Sequence, residues 1–245
     1  MPLSSLSSDT SVLHGIWRTI PSPALTEIFA QSGLDFQIFD FEHGTYDYQT
    51  LLSDVLACEL HACAPWVRVS GTNKVEVQRS LDLGARALVF PQLANYDDFA
   101  NAAAMMDHPP AGVRGFNPFI RAYGYGASAV LSRPWFVPIV ETLTAVEQLD
   151  SILQLERIDL VYIGAYDLST QLGLPGKMDA GALTQLIERI LTACRSRGKP
   201  AALISLTGEA AHSPTAAGVK ALVHGVESER IKRAMTAAFG LSTKP

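Results

Sequence analysis

The sequence predicts an α/β fold of the (β/α)8 barrel (TIM-barrel) type, and three observations predict it. Short apolar runs alternate with stretches of helical periodicity at a spacing of roughly 25–35 residues, the length of a strand–helix unit. The runs are rich in Val, Ile, Leu and Phe on both faces, which suits a parallel sheet covered on both sides. The 245 residues hold eight such units without a composition break or linker, which favours one closed barrel over an open sheet with a second domain.

Taken in order, residues 1–10 are Ser-rich and read as a loose tail ahead of a single domain. The expected strands are His14–Arg18, Phe36–Phe41, Trp66–Val69, Ala87–Pro91, Phe136–Val140, Leu160–Ile163, Ala201–Ile204 and Ala221–Val223. Helical patterns lie between them at Pro23–Gln31, Tyr48–Leu60, Asn73–Leu83 and Asp97–Met106. Further ones follow at Ala145–Leu155, Ala182–Arg197, Glu209–Ala216 and, closing the chain, Glu227–Phe239. Thr72 or Asn73 can cap the third helix, while Gly33, Gly84 and Gly198 stand where helices stop. Asp107–Pro134, with four Gly and four Pro, is too long for a plain connector and reads as a functional loop or an interface segment.

Composition narrows the function. A 48% hydrophobic share supports a large core, and a net charge of -5 with no Lys/Arg cluster argues against a nucleic-acid partner. The longest apolar runs have strand length and cannot span a bilayer. The first residues show neither a basic nor an apolar signal region, and the three cysteines lack metal-ligand spacing, so the expectation is a reduced, cytoplasmic setting. Dinucleotide and phosphate-loop glycine motifs and the nucleophile elbow are absent. None of the six lysines falls at a strand C-terminus, which disfavours Schiff-base chemistry.

In a barrel of this kind chemistry gathers at the C-terminal ends of the strands. The second strand ends in Asp40-Phe41-Glu42-His43-Gly44, the third in Arg68, the fourth in Pro91-Gln92, the fifth in Glu141-Thr142, and the sixth runs into Gly164-Ala165-Tyr166-Asp167. Glu141 and Asp167 are two hard oxygen donors from adjacent strands, a sparse set that Mg²⁺ or Mn²⁺ accepts when water and substrate complete the shell. Each could equally cap the helix or turn that follows it. His43 is a candidate base or a structural histidine. Arg68 ends an apolar strand, where its charge requires an anionic partner, either a ligand or a structural acid. Asp82 carries the sign that the C-terminus of its helix disfavours, which suggests a specific partner.

The chain resembles the HpcH/HpaI aldolases, the metal-dependent class II pyruvate aldolases. The blocks that carry the likeness are Gly15-Ile16-Trp17, Pro21-Ser22-Pro23-Ala24, Ser32-Gly33-Leu34-Asp35 and Asp40-Phe41-Glu42-His43-Gly44. They continue with Val67-Arg68-Val69, Leu81-Asp82-Leu83-Gly84-Ala85, Val89-Phe90-Pro91 and Pro109 through Gly115. Ile139-Val140-Glu141-Thr142 and Ile163 through Ser169 complete the set, and its order and spacing make it specific.

The resemblance implies a (β/α)8 barrel assembled as a homohexamer, a trimer of dimers that exchange the C-terminal helix. It implies Glu141 and Asp167 as ligands of Mg²⁺ or Mn²⁺, with Co²⁺ as a further option. His43 becomes the base, oriented by Asp82, and Arg68 contacts the pyruvyl oxygens. Gly164, Ala165 and Tyr166 hold the substrate carboxylate. The chain departs from the family at Ile139, where Gln is usual, at Ala165-Tyr166, where the usual Pro is replaced, and at His224-Gly225-Val226-Glu227-Ser228, where Gly-Ser-Asp is common. The implied reaction is reversible cleavage of a 4-hydroxy-2-keto acid to pyruvate and a small aldehyde through a metal-stabilised enolate. The alternatives are a citramalyl- or malyl-type lyase and a non-catalytic α-keto acid binding protein on the same scaffold.

Overall fold

The computed structural model describes residues 12–127, 133–205 and 219–241. Eight parallel strands close into a barrel in the order of the sequence: β1 (Leu13–Arg18), β2 (Phe36–Asp40), β3 (Ala64–Arg68), β4 (Ala87–Phe90), β5 (Trp135–Val140), β6 (Val161–Ile163), β7 (Ala201–Ile204) and β8 (Val219–Val226). The helices are α1 (Pro23–Gln31), α2 (Tyr48–Leu60), α3 (Lys74–Asp82), α4 (Tyr96–Ala104), α5 (Leu143–Glu147), α6 (Leu149–Ile152), α7 (Ala165–Gln171), α8 (Gly181–Ser196) and α9 (Glu227–Phe239). The expected barrel is therefore the observed one.

Local chemistry sets several of these boundaries. Ser22 caps α1 ahead of Pro23, Asp47 and Thr50 form a reciprocal capping box on α2, and the Asn73 side chain accepts from Val75 and Glu76 at the start of α3. The strands divide the apolar residues into two cores, as a side-chain period of two requires. One fills the barrel interior and includes Phe36, Trp66, Val137 and Tyr162; the other lies between strands and helices. Phe36 and Trp66 stack with centroids 4.0 Å apart. Gly15 makes room for them, because a Cβ there would lie 2.3 Å from the Phe36 ring. This aromatic plug closes the barrel below and leaves its C-terminal end to form a cavity.

Four differences from expectation have local causes. The helix expected over Ala145–Leu155 is two short ones, α5 and α6, because Gln148 leaves helical geometry (φ −97, ψ 11) while its side chain accepts the Tyr96 N–H. β8 is longer than Ala221–Val223, since Lys220 and His224 interrupt the apolar run without interrupting the ladder with β1 and β7. α7 is absent from the expected helices, being too short for its period to register and having no side-chain cap. Within Asp107–Pro134, which leads from α4 to β5, the described residues 107–127 lie toward the N-terminal end of the barrel, where Arg114 and Arg121 tie them to Asp82 and to the Leu83 carbonyl. The tail over residues 1–10 and the helix expected over Glu209–Ala216 lie outside the described residues.

α9 stands apart from the other helices. Its first residue, Glu227, is fully buried, yet Ile231, Met235 and Phe239, spaced by four along one face, are exposed. No helix among the described residues is long and apolar enough to cross a membrane.

Candidate active site

The site begins with Asp40, the last residue of β2, which is 1% exposed. Its Oδ1 accepts the Glu42 and His43 backbone N–H groups at 2.9 and 3.1 Å and the Arg68 Nε–H at 2.9 Å. Arg68 Nη2 bonds the other carboxylate oxygen, completing a bidentate pair. Gly44 closes the turn, donating to the Asp40 carbonyl, and a Cβ there would fall 2.2 Å from that oxygen. Asp40 thus fixes both a cation and the loop that carries His43.

Arg68 is the register partner of Asp40 on the neighbouring strand. Its Nη1 lies 3.0 Å from Glu42 Oε2 and its guanidinium sits 4.5 Å over the Trp17 ring. Burial opposes its charge, but the bonds to Asp40 and the fields of Glu42 and Glu141 outweigh burial and raise its pKa. His43 projects from the loop with its side chain 69% exposed, 3.9 Å from Glu42.

Glu141, immediately after β5, is 5% exposed and accepts the Gln92 backbone N–H. Gln92 adopts φ +58, a left-handed conformation costing a non-glycine residue of the order of 1–3 kcal/mol, and its side chain donates to Glu42 Oε1 at 2.7 Å. Gln92 therefore links both acids. Burial pushes the Glu141 carboxyl up to about 7, with Asp167 and Glu42 adding to the rise and the Gln92 N–H and Arg68 opposing it. Gly164, after β6, admits Glu141 to this position: a Cβ there would lie 2.4 Å from Glu141 Cβ. Ala165, Tyr166 and Asp167 form the first turn of α7, whose first backbone bond runs from Leu168 N–H to the Gly164 carbonyl.

These groups surround a cavity of about 390 Å³ at the C-terminal end of the barrel. His43, Arg68, Glu141, Gly164, Ala165, Tyr166 and Asp167 all line it, as the sequence led one to expect. Asp82 does not. It ends α3, at the opposite end of the barrel, where its Oδ1 accepts from Arg114 at 2.9 Å, so within one chain it cannot orient His43. The misplaced charge noted in the sequence has its partner in Arg114. A larger cavity of about 630 Å³ lies near it at that end, but its Arg114 and Arg121 are already paired with Asp82 and Glu59.

Sequence reasoning gave no role to Asp40, Glu42, Gln92, Trp17 or Tyr162. Asp40 and Glu42 were visible as strand-end acids, but only register across β2 and β3 shows that they hold Arg68. Trp17 and Tyr162 read as core positions. The period of two along β1 and β6 turns both toward the barrel axis, where they meet under the cavity.

A family model described as HpcH/HpaI aldolase/citrate lyase matches residues 13–229. A pyruvate aldolase of Rhizobium etli is 31% identical over 196 residues, 78% of this chain and 77% of that protein. A 4-hydroxy-2-oxo-heptane-1,7-dioate aldolase of Salmonella typhimurium is 29% identical over 243 residues, 94% of this chain and 91% of that protein. The crystal structure of an HpcH/HpaI aldolase/citrate lyase family protein from Burkholderia cenocepacia J2315 superposes with a TM-score of 0.91 at 25% identity, covering 97% of this chain and 96% of that one.

Proposed function

Because the chain belongs to the HpcH/HpaI aldolase/citrate lyase family, we propose that it is a divalent-metal-dependent, class II pyruvate aldolase that reversibly cleaves a 4-hydroxy-2-keto acid to pyruvate and a small aldehyde. The observation that carries this reading is the convergence of the Glu141 and Asp167 carboxylates, one committed arginine and one exposed histidine on a single cavity.

The donor set fits a divalent cation. Glu141 and Asp167, once ionised, are acceptor-only oxygens from neighbouring strand ends, and Arg68, the one permanent cation lining the cavity among the described residues, is already held by Asp40 and Glu42. Among the described residues no group of three or more His, Cys, Asp and Glu comes together, so substrate and water would have to supply the remaining ligands. Mg²⁺ and Mn²⁺ suit such donors, with Co²⁺ a further option. When bound, the cation supplies Lewis acidity to the keto acid.

The chain's own residues do the rest. Arg68, immobilised before substrate arrives, presents fixed positive charge to the oxygen that becomes anionic as the enolate forms. His43, exposed at the mouth, carries protons between the aldol hydroxyl and solvent. The N–H groups of Ala165, Tyr166 and Asp167 precede the first acceptor-paired N–H of α7 and can bind the substrate carboxylate. Exposed Tyr166 shapes the side on which the aldehyde leaves.

The site also points to an assembly. The bare face of α9 suits exchange with a second copy, in a homo-oligomer that the resemblance makes a hexamer. Asp82 acts on His43 in this reading only from a neighbouring subunit. The deciding experiment follows exchange of the pyruvate methyl protons in D₂O by NMR, after chelation and after Mg²⁺ or Mn²⁺ is restored. Metal-dependent exchange that His43→Ala abolishes is the expected result. Its absence, or exchange independent of metal, rejects the aldolase assignment, and binding without exchange identifies a mere binder.

A further inference from the structure

Tyr162 sits in the middle of β6, turned inward between Trp17 of β1 and Ile139, its register partner on β5. The residue is 4% exposed and lines the cavity. Its Oη accepts the Trp17 Nε1–H at 2.9 Å, and the rings meet edge to face with centroids 5.5 Å apart. An indole N–H can only donate, so this bond uses an acceptor site of Tyr162 and leaves the phenolic proton uncommitted. Among the described residues that hydroxyl makes no hydrogen bond as a donor, and the side chain of neighbouring Ile139 offers no acceptor. A buried donor without an acceptor costs about 1–3 kcal/mol, so whatever occupies the cavity is favoured if it brings an oxygen to this point. Burial holds the phenol above its ordinary range, which keeps Tyr162 a neutral donor and excludes it as a base.

We infer that Tyr162 is a specificity-determining residue: its hydroxyl donates a hydrogen bond to a side-chain hydroxyl of the bound keto acid, not to the carboxylate or keto oxygens that all keto acids share, and so makes the pocket prefer a hydroxyl-bearing keto acid over its methyl-ended counterpart. This deepens the aldolase reading and rests on it for the identity of the ligand. Trp17 sets the donor's direction. It fixes Oη from one side, and its face carries the Arg68 guanidinium, so the neutral donor and the cation are held by one indole. A pocket built around such a donor discriminates against a ligand lacking the acceptor, because the donor is then left unmatched.

The test compares 3-hydroxypyruvate with 2-oxobutanoate, equal in heavy-atom count and differing by hydroxyl against methyl. Titration calorimetry on the full-length protein with Mg²⁺ gives both Kd values without requiring turnover. The wild type is expected to bind the hydroxylated acid about 5- to 20-fold more tightly. Tyr162→Phe is expected to level the two by weakening the hydroxylated acid alone, with a melting temperature below that of the wild type because the buried Trp17 N–H loses its acceptor. Trp17→Phe, which removes the N–H but leaves the tyrosine donor, is expected to keep a preference of at least threefold. Equal effects of Tyr162→Phe on both acids, or no effect on either, overturn the inference, as does loss of the preference in Trp17→Phe with Tyr162→Phe unchanged. Because binding is read directly, failure of the proton-exchange experiment would refute the aldolase reading while leaving this result to be judged on its own.

Discussion

Asp40 and Arg68 face each other in direct register across β2 and β3, and their bidentate pair is the anchor of the candidate site. The same carboxylate holds the backbone of the His43 loop, so one buried acid sets the positions of the cation and of the candidate base. Replacing Asp40 by Asn keeps the shape but removes the charge that compensates Arg68. Unfolding by urea is expected to show a loss of about 3 kcal/mol. A fall in kcat/KM of at least about 100-fold is expected beside it, because the Arg68 and His43 geometries fail together. Full activity would show that neither depends on Asp40.

Glu141 gives the site a pH dependence whose sign is fixed by its surroundings. Its carboxyl is pushed from 4.5 up to about 7 in the metal-free protein, so the fold favours the protonated form. The stability this contributes is complete below the ordinary value and is lost as the pH rises through about 7. Metal-free protein is expected to melt at a higher temperature at pH 5.5 than at pH 8, and Glu141→Gln should flatten that difference. Cation binding must displace the proton, so the Kd for Mn²⁺ should rise up to about tenfold per unit as the pH falls below 7. Titration calorimetry at pH 6, 7 and 8 reads the slope, and a flat profile would contradict it.

Gly164→Ala isolates the close approach of β6 to Glu141. The added methyl would sit 2.4 Å from Glu141 Cβ and 2.9 Å from its Oε2, and both belong to a side chain held in place by Gln92. Overpacking of this kind costs about 1–3 kcal/mol. Because the displaced group is the candidate metal ligand, Mn²⁺ affinity is expected to fall at least about tenfold while the barrel still folds. Electron paramagnetic resonance of free Mn²⁺ measures the loss. Unchanged affinity would remove Glu141 from the ligand set.

Asp82 and His43 lie at opposite ends of one barrel, so cooperation between them requires two chains. Mixing inactive His43→Ala and Asp82→Asn subunits under exchange conditions should restore activity toward one quarter of wild type if each active site draws one residue from each of two chains. No recovery in mixed oligomers would confine Asp82 to its bond with Arg114. In parallel, Phe239→Lys on the bare face of α9 is expected to lower the mass seen by light scattering, since a charge replaces a side chain 65% exposed in the isolated chain.

Much of this fold was legible because its strands are buried on both faces, which writes each one as an apolar run bounded by polar turns. β7, α1, α2 and α9 fall where the pattern puts them, while β8 was shortened in the reading because outward Lys220 and His224 look like its ends. The candidate site was legible where residues follow directly on strand ends: His43, Arg68, Glu141 and Asp167 reach one cavity because all parallel strands finish on the same rim. For Asp82, an unfavourable place at a helix C-terminus reports that a partner exists, not which one; within the chain that partner is Arg114.

The closed barrel, the rim on which chemistry collects and the identity of most groups on that rim are thus written along the chain. These follow from periodicity and chain direction, which are local properties. Who holds whom emerges only on folding: Asp40 rather than Asp82 beside the His43 loop, Gln92 between Glu42 and Glu141, and Tyr162 hydrogen-bonded to Trp17 under the cavity. Those pairings depend on strand register and on which side chains turn toward the barrel axis, and both are fixed when the barrel closes.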